Sequence, residues 1–308
     1  MNWLNGFELL CYILSAALIA DIIRKKNMTE AKLFVSGAIA GYALELLAVR
    51  VTDIYYYNPG FWLNIGRSPY QFPVFGGLMW GGLTVCALRL ASRLGFSRVM
   101  TALVTGFLIV SMDMLLDVAA IRLDGGFWTW AGRPITEEIT HHMFMSVIWV
   151  NFLGYMFETP MITWLALRDR QRGDRRPFMM HAAAAVFNAA GGICFVGGAS
   201  LLSLWLDSIT DEWFSFIAFL LIWGFVLVRI MMQLIAGRPS ISSSGDRDML
   251  AMVFFAAMYI YCFAGLFSLG IYPKHIWYLT AGILLFAGTV MLGIIRVSGT
   301  FAGRRGYR

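Results

Sequence analysis

Apolar residues run along this chain in long uninterrupted stretches, separated by short segments rich in Arg, Asp, Gly and aromatic residues. A helix needs about 17 to 25 apolar residues to cross a hydrocarbon core of roughly 30 Å. Nine stretches of that kind lie near 7–23, 31–50, 72–92, 98–121, 143–167, 181–206, 212–235, 249–270 and 275–297. The pattern predicts an all-α fold, a polytopic transmembrane helix bundle of nine spans within a range of seven to nine. The first stretch is expected to be retained. No basic segment precedes it, no small-residue cleavage site follows it, and Arg24, Lys25 and Lys26 come after the apolar run instead of before it.

Composition removes the soluble alternative. With 59% hydrophobic and only 14% charged residues, and a mean hydropathy of +0.69, the chain lies far from an ordinary soluble domain. Basic residues then orient the bundle, because Lys and Arg accumulate in short cytoplasmic loops. An external amino terminus leaves only Arg50, Arg67, Arg122, Arg133 and Lys274 outside. The clusters "RKK" at 24–26, "RDRQRGDRR" at 168–176 and the "RRGYR" tail fall inside, with a cytoplasmic carboxy terminus. The net charge of +6 is accounted for by topology, and the short scattered clusters give no nucleic-acid interface. Cys11, Cys86, Cys194 and Cys262 stand alone within predicted spans and read as buried small hydrophobes.

The arginine loop divides the chain into a membrane domain, 1–170, rich in intramembrane polar groups, and further transmembrane helices, 177–308, expected to pack in the same bundle. The chemistry concentrates in the first part. In "SMDMLLD" Asp113 and Asp117 share one helix face, one turn apart. An acid at that depth costs several kcal/mol unless it is neutral, paired or facing a cavity. A buried acid paired with a neighbouring helix is one reading; a functional site is the other. The second is favoured by Glu45 on the second span and by Asn151 and Tyr155, one turn apart on the fifth, with Glu158 a further turn inward.

The segments "VTDIYYYNPGFW" and "RLDGGFWTWAGRP" are dense in aromatics, as interfacial belts are. "FWTW" also follows the acidic helix closely enough for Trp128 and Trp130 to fold back over it. In "EEITHH" the pairs Glu137/His141 and Glu138/His142 stand four apart, a spacing that on a helix suits metal ligation. Glu138, His141 and His142 are therefore an alternative metal set to a hydrated helix start with salt-linked histidines. No second such motif exists and the chain has 4 histidines, too few for a histidine-rich di-iron oxygenase.

"ELLAVRVTDIYYY" from Glu45, "DMLLDVAAIRLDGGFWTW" from Asp113 and "VNFLGYMFE" from Val150 together resemble the ordered motifs of the integral-membrane carotenoid biosynthesis family that includes carotenoid hydratases of the bisanhydrobacterioruberin and γ-carotene type. The resemblance covers about residues 40–160. It departs at Val118, where the family usually has Pro, at 147–149, and at Tyr155, where Trp is usual. The four carboxy-terminal spans lie outside it.

The resemblance implies hydration of a terminal isoprene double bond without a cofactor, in a bacterial inner membrane. Two acids one turn apart resist ionising together, so one stays available as a donor. Asp113 or Asp117 would deliver the proton, and its partner or Glu45 would orient water. Tyr56, Trp128, Trp130 and Tyr155 would shield the tertiary cation, and Asn151 would hold the water or an acid. The implied partners are a long apolar polyene or prenyl-lipid substrate and membrane lipids, with other pigment-biosynthesis enzymes as candidate associates. A membrane terpene cyclase or isomerase begins with the same protonation. A lipid carrier, or a transporter relaying protons through Asp113 and Asp117, is the alternative of a different class.

Overall fold

A computed structural model of the chain describes residues 2–51, 55–130, 132–170, 177–236 and 247–295. The helices are α1 (Trp3–Lys25), α2 (Met28–Val51), α3 (Val74–Ala91), α4 (Arg98–Ala120), α5 (Trp149–Arg170), α6 (Phe178–Thr210), α7 (Trp213–Ile235), α8 (Met249–Ser268), the single turn α9 (Ile271–Lys274) and α10 (Ile276–Ile294). Among the described residues, eight helices are long and apolar enough to cross a membrane, so the chain is a polytopic all-α membrane protein. The ninth long helix, α5, runs alongside them but is too polar to meet that measure, since it carries Asn151, Glu158, Thr159, Pro160 and Thr163. Its polarity is directed inward: Glu158, Thr159 and Thr163 are buried. Much of the "RDRQRGDRR" loop and the whole "RRGYR" tail lie outside the described residues.

Helix ends follow local chemistry. The side chains of Asn2 and Asp248 accept from Asn5 N and Ala251 N at 2.9 and 3.1 Å, capping α1 and α8. Glycine allows α2 and α3 to touch. A Cβ on Gly81 would stand 2.5 Å from the Phe34 carbonyl oxygen, so only hydrogen fits there. The carboxy-terminal helices pack on the first half, α8 against α1, α3 and α4, α10 against α4, and α7 against α4 and α5, as one bundle. Helices α3 and α4 bury most of their surface, whereas α6, α7 and α10 leave most of theirs facing outward. Cys11, Cys86 and Cys262 are buried as expected, but Cys194 is exposed on α6.

The two ends of the bundle differ. At the basic end, Arg89 of α3 pairs with Asp21 at 2.9 Å and Glu30 at 2.6 Å, and Lys32 of α2 pairs with Asp169 at the end of α5 at 2.5 Å. Buried charges of this kind persist only in pairs. At the aromatic end, three two-stranded ribbons form: β1 (Tyr55–Tyr57) with β4 (Trp128–Trp130), β2 (Asn64–Ile65) with β3 (Phe72–Pro73), and β5 (Met143–Phe144) with β6 (Val147–Ile148), all antiparallel. Glu8 anchors this layer to α1 by accepting from Trp62 N and Leu63 N at 2.7 and 3.1 Å. The last ribbon corrects the expected fifth span. Residues 143–148 are a hairpin turning through Met145 (φ 46°) and Ser146 (φ 74°), and the helix starts only at Trp149.

Candidate active site

Asp113 and Asp117 share one face of helix α4, as their spacing requires, and both are buried. Buried Glu45 of α2 lines the same cavity of about 70 Å³. Its other walls are apolar and aromatic, including Phe7, Phe72, Phe75, Met79 and Met258. Three of the four intramembrane acids that the sequence singles out, Asp113, Asp117 and Glu45, thus line one cavity, whereas Glu158 does not.

Their hydrogen bonding differs. Each oxygen of Asp117 accepts one N–H: Trp128 Nε1 donates to Oδ1 at 3.0 Å and Asn151 Nδ2 to Oδ2 at 2.8 Å. Two donors on two oxygens suit a carboxylate, which can only accept. Glu45 Oε2 accepts from Tyr57 OH at 2.8 Å, and Tyr55 OH donates to Tyr57 OH at 2.9 Å. Asp113 Oδ2 is buried and has no hydrogen-bond partner among the described residues.

The aromatic cover is a strand pair and not a loose loop. Tyr55 stands opposite Trp130, Tyr56 opposite Thr129 and Tyr57 opposite Trp128. Phe127 N bonds back to Ala120 O at the end of α4, at 2.7 Å, and Asn58 N to Phe127 O at 2.9 Å, which holds the ribbon against the acidic helix. The turn into β4 passes through Gly126 at φ 100°, where a side chain would be strained. Strand periodicity sends alternate residues to opposite faces. Tyr55 and Tyr57 are buried and line the acid cavity, whereas Tyr56 is half-buried and does not. The expectation that Tyr56 faces the acids is therefore corrected, and its two neighbours take that place.

A second cavity, of about 180 Å³, lies between α2, α5 and α6. Glu45, Tyr55, Trp80 and Tyr155 border both cavities, and the Trp80 and Tyr155 rings lie 4.7 Å apart between them. Trp130 borders the second cavity, its ring tilted by 33° against Tyr55 with centroids 4.4 Å apart, while Asn151 and buried Glu158 lie along its α5 wall. Sequence reasoning missed Trp80. Its only signal was the position of a large aromatic between glycine pairs in "GGLMWGG".

"EEITHH" does not form the helix its spacing invited, because residues 132–142 are extended or turn, and Glu138 is exposed. Without helical geometry the four-residue pairs dissolve. Glu137 accepts from Lys274 Nζ at 2.7 Å and lies 2.9 Å from His275 Nε2; these hydrogen bonds, that of Lys274 foremost, hold it below the usual carboxylate range. His142 meets Glu212 and His141 meets Asp211 instead. No protein-family model, no curated protein and no solved structure matches this chain, so the resemblance over residues 40–160 stands on its motifs alone.

Proposed function

We propose that this chain is a carotenoid hydratase-like membrane enzyme, which adds water to a terminal isoprene double bond of a polyene or prenyl lipid. One observation carries the reading: Glu45, Asp113 and Asp117 share an apolar, aromatic-walled cavity in which one Asp113 oxygen has no partner. An ionised carboxylate without donors in such surroundings is costly, which suits Asp113 as the carboxyl that carries a proton. Its O–H breaks as a C–H bond forms at the less substituted alkene carbon, leaving a tertiary cation beside the faces of Tyr55, Tyr57 and Trp128. Water then forms the C–O bond and gives up a proton to a carboxylate, with Asp117 or Glu45 orienting it. Atoms and charge balance without a cofactor.

The ordered motifs over residues 40–160 support the substrate class. The second cavity is bordered by α6, a helix that leaves most of its surface facing outward, so the substrate is expected to enter beside α6. On the basic-residue count, α5 crosses with the other long helices and the aromatic end is external; the resemblance implies a bacterial inner membrane. The mostly apolar lining favours one second reading, a cyclase or isomerase in which an internal alkene captures the same cation.

Mass spectrometry of pigments from a carotenoid-producing host tests this. The intact protein should add the mass of one or two waters, and Asp113→Asn, equally well folded in detergent, should lose product by about 10²-fold or more, the typical contribution of a positioned acid. His141→Ala with His142→Ala should impair conversion less than Asp117→Asn. An isomer of unchanged mass would shift the reading to cyclisation. Conversion by a well-folded double Asp113→Asn, Asp117→Asn variant would sink the assignment of the acid, and unchanged pigments would sink the enzyme.

A further inference from the structure

We propose that His141, His142 and Asp211 are the protein ligands of a divalent transition-metal site of the zinc class, at the aromatic end of the bundle and separate from the acid cavity. The three side chains come from two segments, the loop before β5 and the turn between α6 and α7, and their ligand atoms all lie within 4.8 Å of one another. His141 Nε2 stands 3.5 Å from Asp211 Oδ2. Two ligands held at about 2.1 Å on a tetrahedral ion are separated by roughly 3.4 Å, so this edge of the site is already at bonding separation.

Independent observations point to an ion there. His141 Nε2 is shielded and, among the described residues, makes no hydrogen bond; its nearest partner is the Asp211 carboxylate at 3.5 Å, a separation that an ion between them would bridge. The ring itself is held in position, stacked on Trp213 at 4.3 Å with 5° between planes. His142 Nδ1 lies 3.1 Å from Glu212 Oε2, the carboxylate–histidine relation that orients metal-bound imidazoles and frees the other nitrogen. Glu212 is in turn fixed by Arg133 at 3.2 Å, so that cation is engaged with the outer carboxylate and not with the ligands. Asp207 is excluded as a ligand, since Ser215 N donates to it at 2.8 Å and Ser215 Oγ donates to its other oxygen.

The site opens on a cavity of about 340 Å³, which leaves room for water as a fourth ligand. Asp211 is 81% exposed, so its carboxylate is the arm that the ion orders. Backbone geometry prepares it: Asp211 (φ 52°) and Glu212 (φ 64°) are both left-handed, and this turn points one carboxylate to each histidine. The ion would clamp the loop to the α6–α7 turn. Val150, the residue before Asn151, borders both this cavity and the one between α2, α5 and α6, so the clamp braces the start of α5.

The test uses the full chain, purified in detergent without a polyhistidine tag, stripped with chelator and titrated with zinc, then with cobalt(II). Expected are one zinc per chain, a saturable rise in the thermal midpoint, and a cobalt spectrum of four-coordinate nitrogen and oxygen ligation. His141→Ala with His142→Ala should remove that equivalent, and Asp211→Asn and Glu212→Gln should each weaken it, on the order of 10- to 100-fold for such partners. Metal-free midpoints and monodispersity of each variant separate lost binding from lost folding, and His142→Gln serves as the milder change should the alanine pair unfold. No stoichiometric zinc in the wild type overturns the proposal. So does a well-folded histidine variant that binds zinc as the wild type does.

Discussion

Asp113 and Asp117 are one helical turn apart and identical in chemistry, yet their surroundings separate them. Asp117 sits where β4 and α5 each bring an N–H donor, and Asp113 sits one turn deeper where neither reaches it. Neighbouring tyrosines are divided the same way by the strand period. Tyr57→Phe removes the hydroxyl bonded to Glu45 and leaves a buried carboxyl short of a donor, which should lower stability by about 1–3 kcal/mol and reduce product. Tyr56→Phe changes a half-buried residue that lines neither cavity, and it should reduce product less than Tyr57→Phe does. Pigment yield per folded protein, measured for both variants, decides. A larger loss in Tyr56→Phe would return that residue to the site.

Helix pairs and ribbons show where packing constrains the sequence. On α3, Gly81 faces a backbone oxygen that cannot rotate away, so Gly81→Ala must push α2 and α3 apart. An overpacked contact of that kind should cost about 1–3 kcal/mol, seen as a lower thermal midpoint in detergent. Gly198 on α6 has nothing within 4 Å of an added Cβ, and Gly198→Ala should be neutral or stabilising. If both behave alike, the close approach of α2 and α3 at Gly81 is not a packing constraint. The shift of the α5 start from 143 to 149 has a comparable cause. Trp149 Nε1 donates to Thr140 O at 2.8 Å, which ties the incoming loop to the helix end and leaves residues 143–148 to turn as a hairpin.

Across the whole molecule, the long helices join two chemically distinct ends, one held by Arg89, Lys32 and their acids, the other by aromatic ribbons. Opposite-sided labelling of single cysteines at Gly95 and Asp211, in a background where Cys194 is also replaced, tests the orientation. Asp211→Cys should react with an impermeant reagent from outside and Gly95→Cys only from the cytoplasm. Labelling of both from one side would break the bundle parity, and the reverse pattern would move the acid cavity nearer the cytoplasmic surface. The fusion point after Arg176, which the basic-residue count places inside, lies outside the described residues.

Apolar run length was enough to find the eight apolar helices, because a span must satisfy its backbone internally and needs little from its neighbours, but it did not fix where the more polar α5 begins. Helical spacing likewise put Asp113 with Asp117 and Asn151 with Tyr155. The aromatic-end loops were not legible in that way, since short strands and turns take their form from distant partners. The pairing of β1 with β4 chose Tyr55 and Tyr57 over Tyr56, and the α6–α7 turn drew His141 and His142 away from Glu137 and Glu138. Only the tertiary structure decided that Glu45, 68 residues before Asp113, shares its cavity. No local spacing encodes that contact, because it arises from how three helices and a ribbon pack and not from the period of any one of them.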